Sequence, residues 1–155
     1  MNLFARIALA AIVAFSAPIS AMAAVSDTPV EKVSSAYSMG LEAADSENWK
    51  LAVVHFTEAV RLEPDNADAF NMLAYSQRQI GDLESAFSNY EMALAIDPRH
   101  EEALEYLGEA YLLVDDLDSA VVQLEKLDEI CDGDCEAYFE LRDAIEEFRA
   151  ARGSD

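Results

Sequence analysis

The feature that most constrains this chain is its likeness to itself at an offset of 34 residues. At that shift Gly40 falls on Ala74 and Gly108, Met39 on Leu73 and Leu107, Trp49 on Leu83 and Leu117, and Ala52 on Ala86 and Ala120. Bulkier columns follow: Phe56, Tyr90 and Leu124; then Ala59, Ala93 and Leu127; then Leu62, Ile96 and Ile130; with Pro64 and Pro98 closing two of the units. A period of this size belongs to a small unit that cannot bury its apolar side alone and must stack on its neighbours.

Within a unit the apolar residues recur at helical spacing, as in Phe70, Leu73, Ala74 and Ile80, then Leu83, Ala86, Phe87, Tyr90 and Leu94. Glu47-Asn48, Gly81-Asp82 and Asp115-Asp116 interrupt the pattern in mid-unit. Pro64 and Pro98 end the second helices, because proline lacks the N–H that a helix needs and its ring clashes with the preceding turn. Each unit therefore reads as two helices, over residues 33–66, 67–100 and 101–132. Ala52, Ala86 and Ala120, with Gly40, Ala74 and Gly108, stand where helices must cross closely. Large side chains fill the space between, each worth roughly 1.5 to 3 kcal/mol when fully buried. A charge at Ala86 is expected to unfold the array.

The ends differ from this pattern. Residues 1–23 hold one cation, Arg6, no acidic side chain, an apolar run from Ile7 to Phe15, the helix breaker Pro18 and the triplet Ala21-Met22-Ala23. That layout predicts an export signal cleaved before Ala24, and the apolar run is shorter than the ~20 residues of a spanning helix. Residues 24–31 read as a short linker. The whole chain carries a formal charge of -21, with 31 acidic residues against 10 Lys and Arg. Such a field repels nucleic acid and anionic lipid; it serves either to keep the protein dispersed or to select a basic protein or peptide partner.

The third unit reads Leu104-x2-Leu107-Gly108-x2-Tyr111, and the second continues through Ala86-x3-Tyr90-x2-Ala93 to Asp97-Pro98. These residues resemble the tetratricopeptide repeat, whose pattern runs W-x2-L-G-x2-Y, then A-x3-F, A and P. Ala36 stands where that pattern has Trp, Ala43 and Gln77 where it has Tyr, and Asp132 where it has Pro. The resemblance covers about residues 33 to 132. It implies an all-α solenoid of antiparallel hairpins in a right-handed superhelix, with a concave groove lined by the first helix of each hairpin. By register the groove residues are Ser34, Tyr37, Leu41 and Ala44, then Asp68, Asn71, Tyr75 and Arg78, then Glu102, Glu105, Glu109 and Leu112. The basic clamp that some relatives close on a peptide's terminal carboxylate is not matched, since Tyr37 and Leu41 occupy slots where Lys and Asn are expected. Tyr37 and Tyr75 offer contact area, the three glutamates offer attraction for Lys or Arg, and Tyr106 and Tyr111 read as packing residues.

Beyond Ile130 the register gives way to Cys131-Asp132-Gly133-Asp134-Cys135 and then to a last amphipathic stretch, Tyr138, Leu141, Ala144, Ile145 and Phe148, read as a capping helix over 133–152. In an oxidising compartment two cysteines flanking a tight turn are most simply a disulfide, with a redox pair or a metal site as the alternatives. Zinc would need two further ligands, and His55 and His100 show no ligand spacing. Those histidines read as satisfied surface residues. Neither a cofactor nor a catalytic set is indicated: paired carboxylates such as Glu105 and Glu109 need a pocket that shifts one pKa, which an open groove is poorly suited to supply. The chain is expected to be a periplasmic or secreted interaction module, a monomer or a weak homo-oligomer, with self-association through Val53, Val54 or the capping helix as the competing role.

Overall fold

The computed structural model describes the backbone of residues 29–153 and the side chains of residues 35–153. The expected export signal, most of the linker and the side chain of Ser34 lie outside the described residues. The described chain is a succession of helices: α1 (Pro29–Asp45), α2 (Trp49–Leu62), α3 (Ala67–Gln79), α4 (Leu83–Ile96), α5 (Glu101–Leu113), α6 (Leu117–Cys131) and α7 (Glu136–Arg152). The first helix begins inside the segment read as linker. Proline at position 29 is compatible with that start, because the first turn of a helix has no use for the missing N–H.

The mid-unit breaks are one device used three times. Glu47, Gly81 and Asp115, each 34 residues apart, take left-handed φ values of 54°, 83° and 66°. The next amide then reaches back five residues, from Asn48 to the Ala43 carbonyl at 2.8 Å, Asp82 to Gln77 at 2.9 Å and Asp116 to Tyr111 at 2.9 Å. This closes α1, α3 and α5 by satisfying carbonyls that the helix end leaves open. The same three residues then cap the following helix, their side chains accepting from the amides of Leu51, Ser85 and Ser119. Asn66 and His100 cap α3 and α5 in the same way. One short segment thus ends one helix and starts the next.

Packing follows the columns of the sequence. Ala52, Ala86, Ala120, Phe56, Tyr90, Ala59, Ala93 and Leu127 are all buried. A Cβ added at Gly40 would meet the ring of Phe56 at 2.5 Å, and one at Gly108 would meet Leu141 at 2.5 Å, so the close crossings require glycine there. Met39 departs from its column: Leu73 and Leu107 are buried, whereas Met39 is exposed. It belongs to the outermost described hairpin, and among the described residues no earlier unit covers it.

At the other end α7 lays Ala137, Leu141 and Ile145 over Leu104, Ala120 and Leu127, covering the third hairpin. Cys131, the last residue of α6, is bonded to Cys135, which precedes α7, with Cα atoms 5.8 Å apart. Asp132 and Gly133 take left-handed φ values of 53° and 69° to make that turn. Cys135 occupies the cap position of α7 without a side-chain hydrogen bond to it. The covalent link holds the one junction among these helices that lacks such a cap, with a chain-entropy contribution of roughly 2 kcal/mol for so short a ring.

Candidate peptide-binding face

The first helices of the hairpins and α7 share one face of the stack, and three cavities open on it. The first, of about 180 Å³, is lined by Tyr37 of α1, Asp68, Asn71 and Met72 of α3, and His100, Glu102 and Tyr106 around the start of α5. The second, of about 350 Å³, lies between Glu101, Glu102, Glu105 and Tyr106 of α5 and Glu136, Ala137 and Glu140 of α7. A third, of about 390 Å³, is lined by Arg78, by Glu109, Leu112 and Leu113 of α5, and by Ala144, Glu147 and Phe148 of α7.

A line of rings runs across the face. Trp49 meets Tyr75 edge-on with centroids 5.6 Å apart, and Tyr75 meets Tyr106 at 4.8 Å. The Arg78 guanidinium lies over both tyrosines, at 5.1 and 5.6 Å from their centroids, and is held by Glu109 at 2.5 Å. A cation over an aromatic face is attracted by the ring quadrupole, so Arg78 ties α3 to α5 by charge and by stacking.

The three groove glutamates are not equivalent. Glu102 is exposed, and Glu109 is engaged by Arg78. Glu105 is only 4% exposed. Burial, then a hydrogen bond with Glu140 and the charges of Glu140 and Glu109, push its carboxyl up to about 9, against a smaller lowering by Arg78. It is therefore a neutral acid at pH 7 that shares a proton with α7. Attraction for a cation through a bare Glu105 charge, as the register suggested, is corrected on this point.

His100 also departs from the surface position expected of it. It is buried at the cap of α5, its Nδ1 accepting from the Ala103 amide at 3.3 Å while Nε2 lies 3.0 Å from Asp68 Oδ1. The cap requires a lone pair on Nδ1, so Nε2 carries the proton and donates to Asp68. Its role is to join two hairpins.

A family model for the tetratricopeptide repeat matches residues 55–87, which run from the middle of α2 into α4. The chain is 29% identical over 84 residues to tetratricopeptide repeat protein 16 of Mus musculus, a match covering 54% of this chain and 11% of that protein. In three dimensions it is similar to the TPR2B domain of yeast Sti1 in complex with an Hsp70 peptide, with TM-score 0.70 and 21% identity, covering 77% of this chain and 98% of that one. The type III secretion translocator chaperone SycD of Yersinia enterocolitica superposes with TM-score 0.71 at 16% identity, over 81% and 88% of the two chains. The chain carries a tetratricopeptide repeat at residues 55–87 and has the helical-repeat fold of tetratricopeptide repeat proteins. It spans about a tenth of the length of the mouse relative, and its likeness to the two solved structures is one of fold.

In this helical-repeat chain, Tyr37, Asn71 and Glu102 meet in the first cavity, Glu102 and Glu105 in the second, and Arg78, Glu109 and Leu112 in the third. Tyr75 stands in the ring line. Leu41 is exposed and lines none of the three, and Ala44 packs with the Phe56 cluster. The register left out Tyr106, which lines two of the cavities while packing on Tyr75. Its signal was available: position 106 follows 102 by four and precedes 109 by three, the spacing of one helix face.

Proposed function

We propose that this protein is an exported interaction module that holds a basic peptide segment of a protein partner on the face formed by α1, α3, α5 and α7. The observation that carries the reading is the pairing of the Trp49, Tyr75 and Tyr106 ring line with the glutamate-lined cavity between α5 and α7. Rings supply contact area at low entropic cost, and carboxylates select cations. The fold supports a binding role, since the similar Sti1 domain is described with a bound Hsp70 peptide. Export rests on the layout of residues 1–23, and periplasmic or secreted residence follows from it. We assign no catalytic role.

The test is binding of short Lys- and Arg-containing peptides to the purified protein, followed by fluorescence anisotropy across a salt titration. Affinity is expected to fall as salt rises, and to fall at least about tenfold with Glu102→Lys at low salt. Affinity indifferent to both salt and charge reversal would rule the reading out. Export is checked separately by N-terminal sequencing of the protein recovered from its native compartment, with Ala24 expected as the first residue.

A further inference from the structure

The two cavities along α7 lie at opposite ends of the same furrow. One is framed by the early residues of both helices, Glu102 and Glu105 of α5 with Glu136 and Glu140 of α7; the other by their late residues, Leu112 and Leu113 with Ala144 and Phe148. The first is acidic through Glu101, Glu102, Glu136 and Glu140, Glu105 being neutral. The second is largely apolar, and Leu113 is 61% exposed at its edge. From Glu102 to Leu112 the helical rise separates the two ends by about 15 Å.

A further acceptor stands at the acidic end. Asn71 is only 3% exposed, yet its Oδ1 has no hydrogen-bond partner among the described residues. It lines the cavity that shares Glu102 and Tyr106 with the glutamate-lined one, so an unpaired acceptor adjoins the carboxylates. A buried acceptor without a donor costs free energy that a ligand N–H recovers. Carboxylates, an amide oxygen and a phenol ring together make a seat for a cation with several N–H groups, which is the chemistry of a lysine or arginine side chain.

We propose that the α5–α7 furrow is a two-part seat for an extended partner segment, taking a lysine or arginine at the Glu102–Glu140 end and a bulky apolar side chain at the Leu113–Phe148 end. This deepens the function proposed above and rests on it. An extended chain advances about 3.3 Å per residue, so the two anchoring residues stand four or five positions apart in the partner. A helical segment would need about ten residues to span the same distance, so the spacing of the two anchors distinguishes it from an extended one. A second copy of this chain is disfavoured by charge, with 31 acidic residues against 10 Lys and Arg. Nucleic acid is repelled by the same field.

The experiment is selection of a random peptide library displayed on phage against the folded protein, with the enriched peptides then synthesised and measured by anisotropy. The expected result is enrichment of Lys or Arg with Leu, Phe or Trp four or five positions away. Binding should weaken at least about tenfold in both Glu102→Lys and Leu113→Asp, substitutions at exposed positions whose helicity is checked by circular dichroism. Enriched peptides that lose affinity with Glu102→Lys and Tyr75→Ala but bind Leu113→Asp like the parent would overturn the furrow and leave the wider face standing. Peptides indifferent to every substitution on this face, or no enrichment at all, would overturn both.

Discussion

Glu105 shows how one side chain's neighbours decide its chemistry. It is an ordinary acidic residue by register, and nothing in the local sequence distinguishes it from Glu102 or Glu109. Burial under α7 and the approach of Glu140 raise its carboxyl to about 9. Above the usual carboxyl range and below that value, the folded protein binds a proton that the unfolded chain releases. Stability must therefore fall as pH rises through that window, with a slope of at most ~1.4 kcal/mol per pH unit for one proton. Glu105→Gln keeps the shape and removes the titration. Its stability relative to the parent, from urea midpoints, is expected to be near or below zero at pH 5 and to grow steadily toward pH 9; parallel profiles would show that no proton is shared there. The columns around Gly40, Ala86 and Tyr90 were legible because identical packing recurs every 34 residues. The Glu105–Glu140 contact was not, because α7 lies beyond the repeat read from the sequence and packs on α5 more closely than α5 packs on α3.

Elements are joined here by a turn whose geometry is constant and whose residues are not. Glu47, Gly81 and Asp115 take the same left-handed conformation, which glycine adopts freely and aspartate tolerates, but which costs a residue such as glutamate roughly 1 to 2 kcal/mol. Glycine adds entropy to the unfolded chain, which offsets part of the relief. Glu47→Gly is expected to stabilise the protein by up to ~1 kcal/mol, read as a higher denaturation midpoint with an unchanged slope. Asp115→Gly should gain less, since Asp115 also pairs with Arg152 of α7. An unchanged or lower midpoint in Glu47→Gly would mean that the turn is not strained by its side chain. The pairs at these three positions marked the breaks in the sequence. What they did not reveal is that each residue after the turn closes one helix with its amide and opens the next with its side chain, a double duty that depends on the left-handed residue before it.

At the scale of the whole molecule, stability is carried by contacts between neighbouring helices, from α1 on α2 through α6 and α7 on one another. A stack of this kind behaves as a line of units, each stabilised by its own packing and by its neighbours. The position of a defect along the line then matters as much as its size. Ala86 is fully buried near the middle, in the cluster of Ala74, Tyr90, Leu107 and Ala110 that ties the second hairpin to the third. Leu141 is equally buried, but at the end, against Gly108 and the Leu104–Leu127 cluster. Aspartate at either site removes apolar burial and places a charge where no partner waits, a loss of several kcal/mol. Ala86→Asp is expected to abolish the cooperative melt altogether. Leu141→Asp should detach α7 and loosen α5 and α6 while α1 to α4 keep their amide protection in hydrogen exchange, with the Cys131–Cys135 bond intact. Equal loss of protection along the whole chain in Leu141→Asp would show that the array folds as one indivisible unit, and that the outermost helix supports it as much as its centre does.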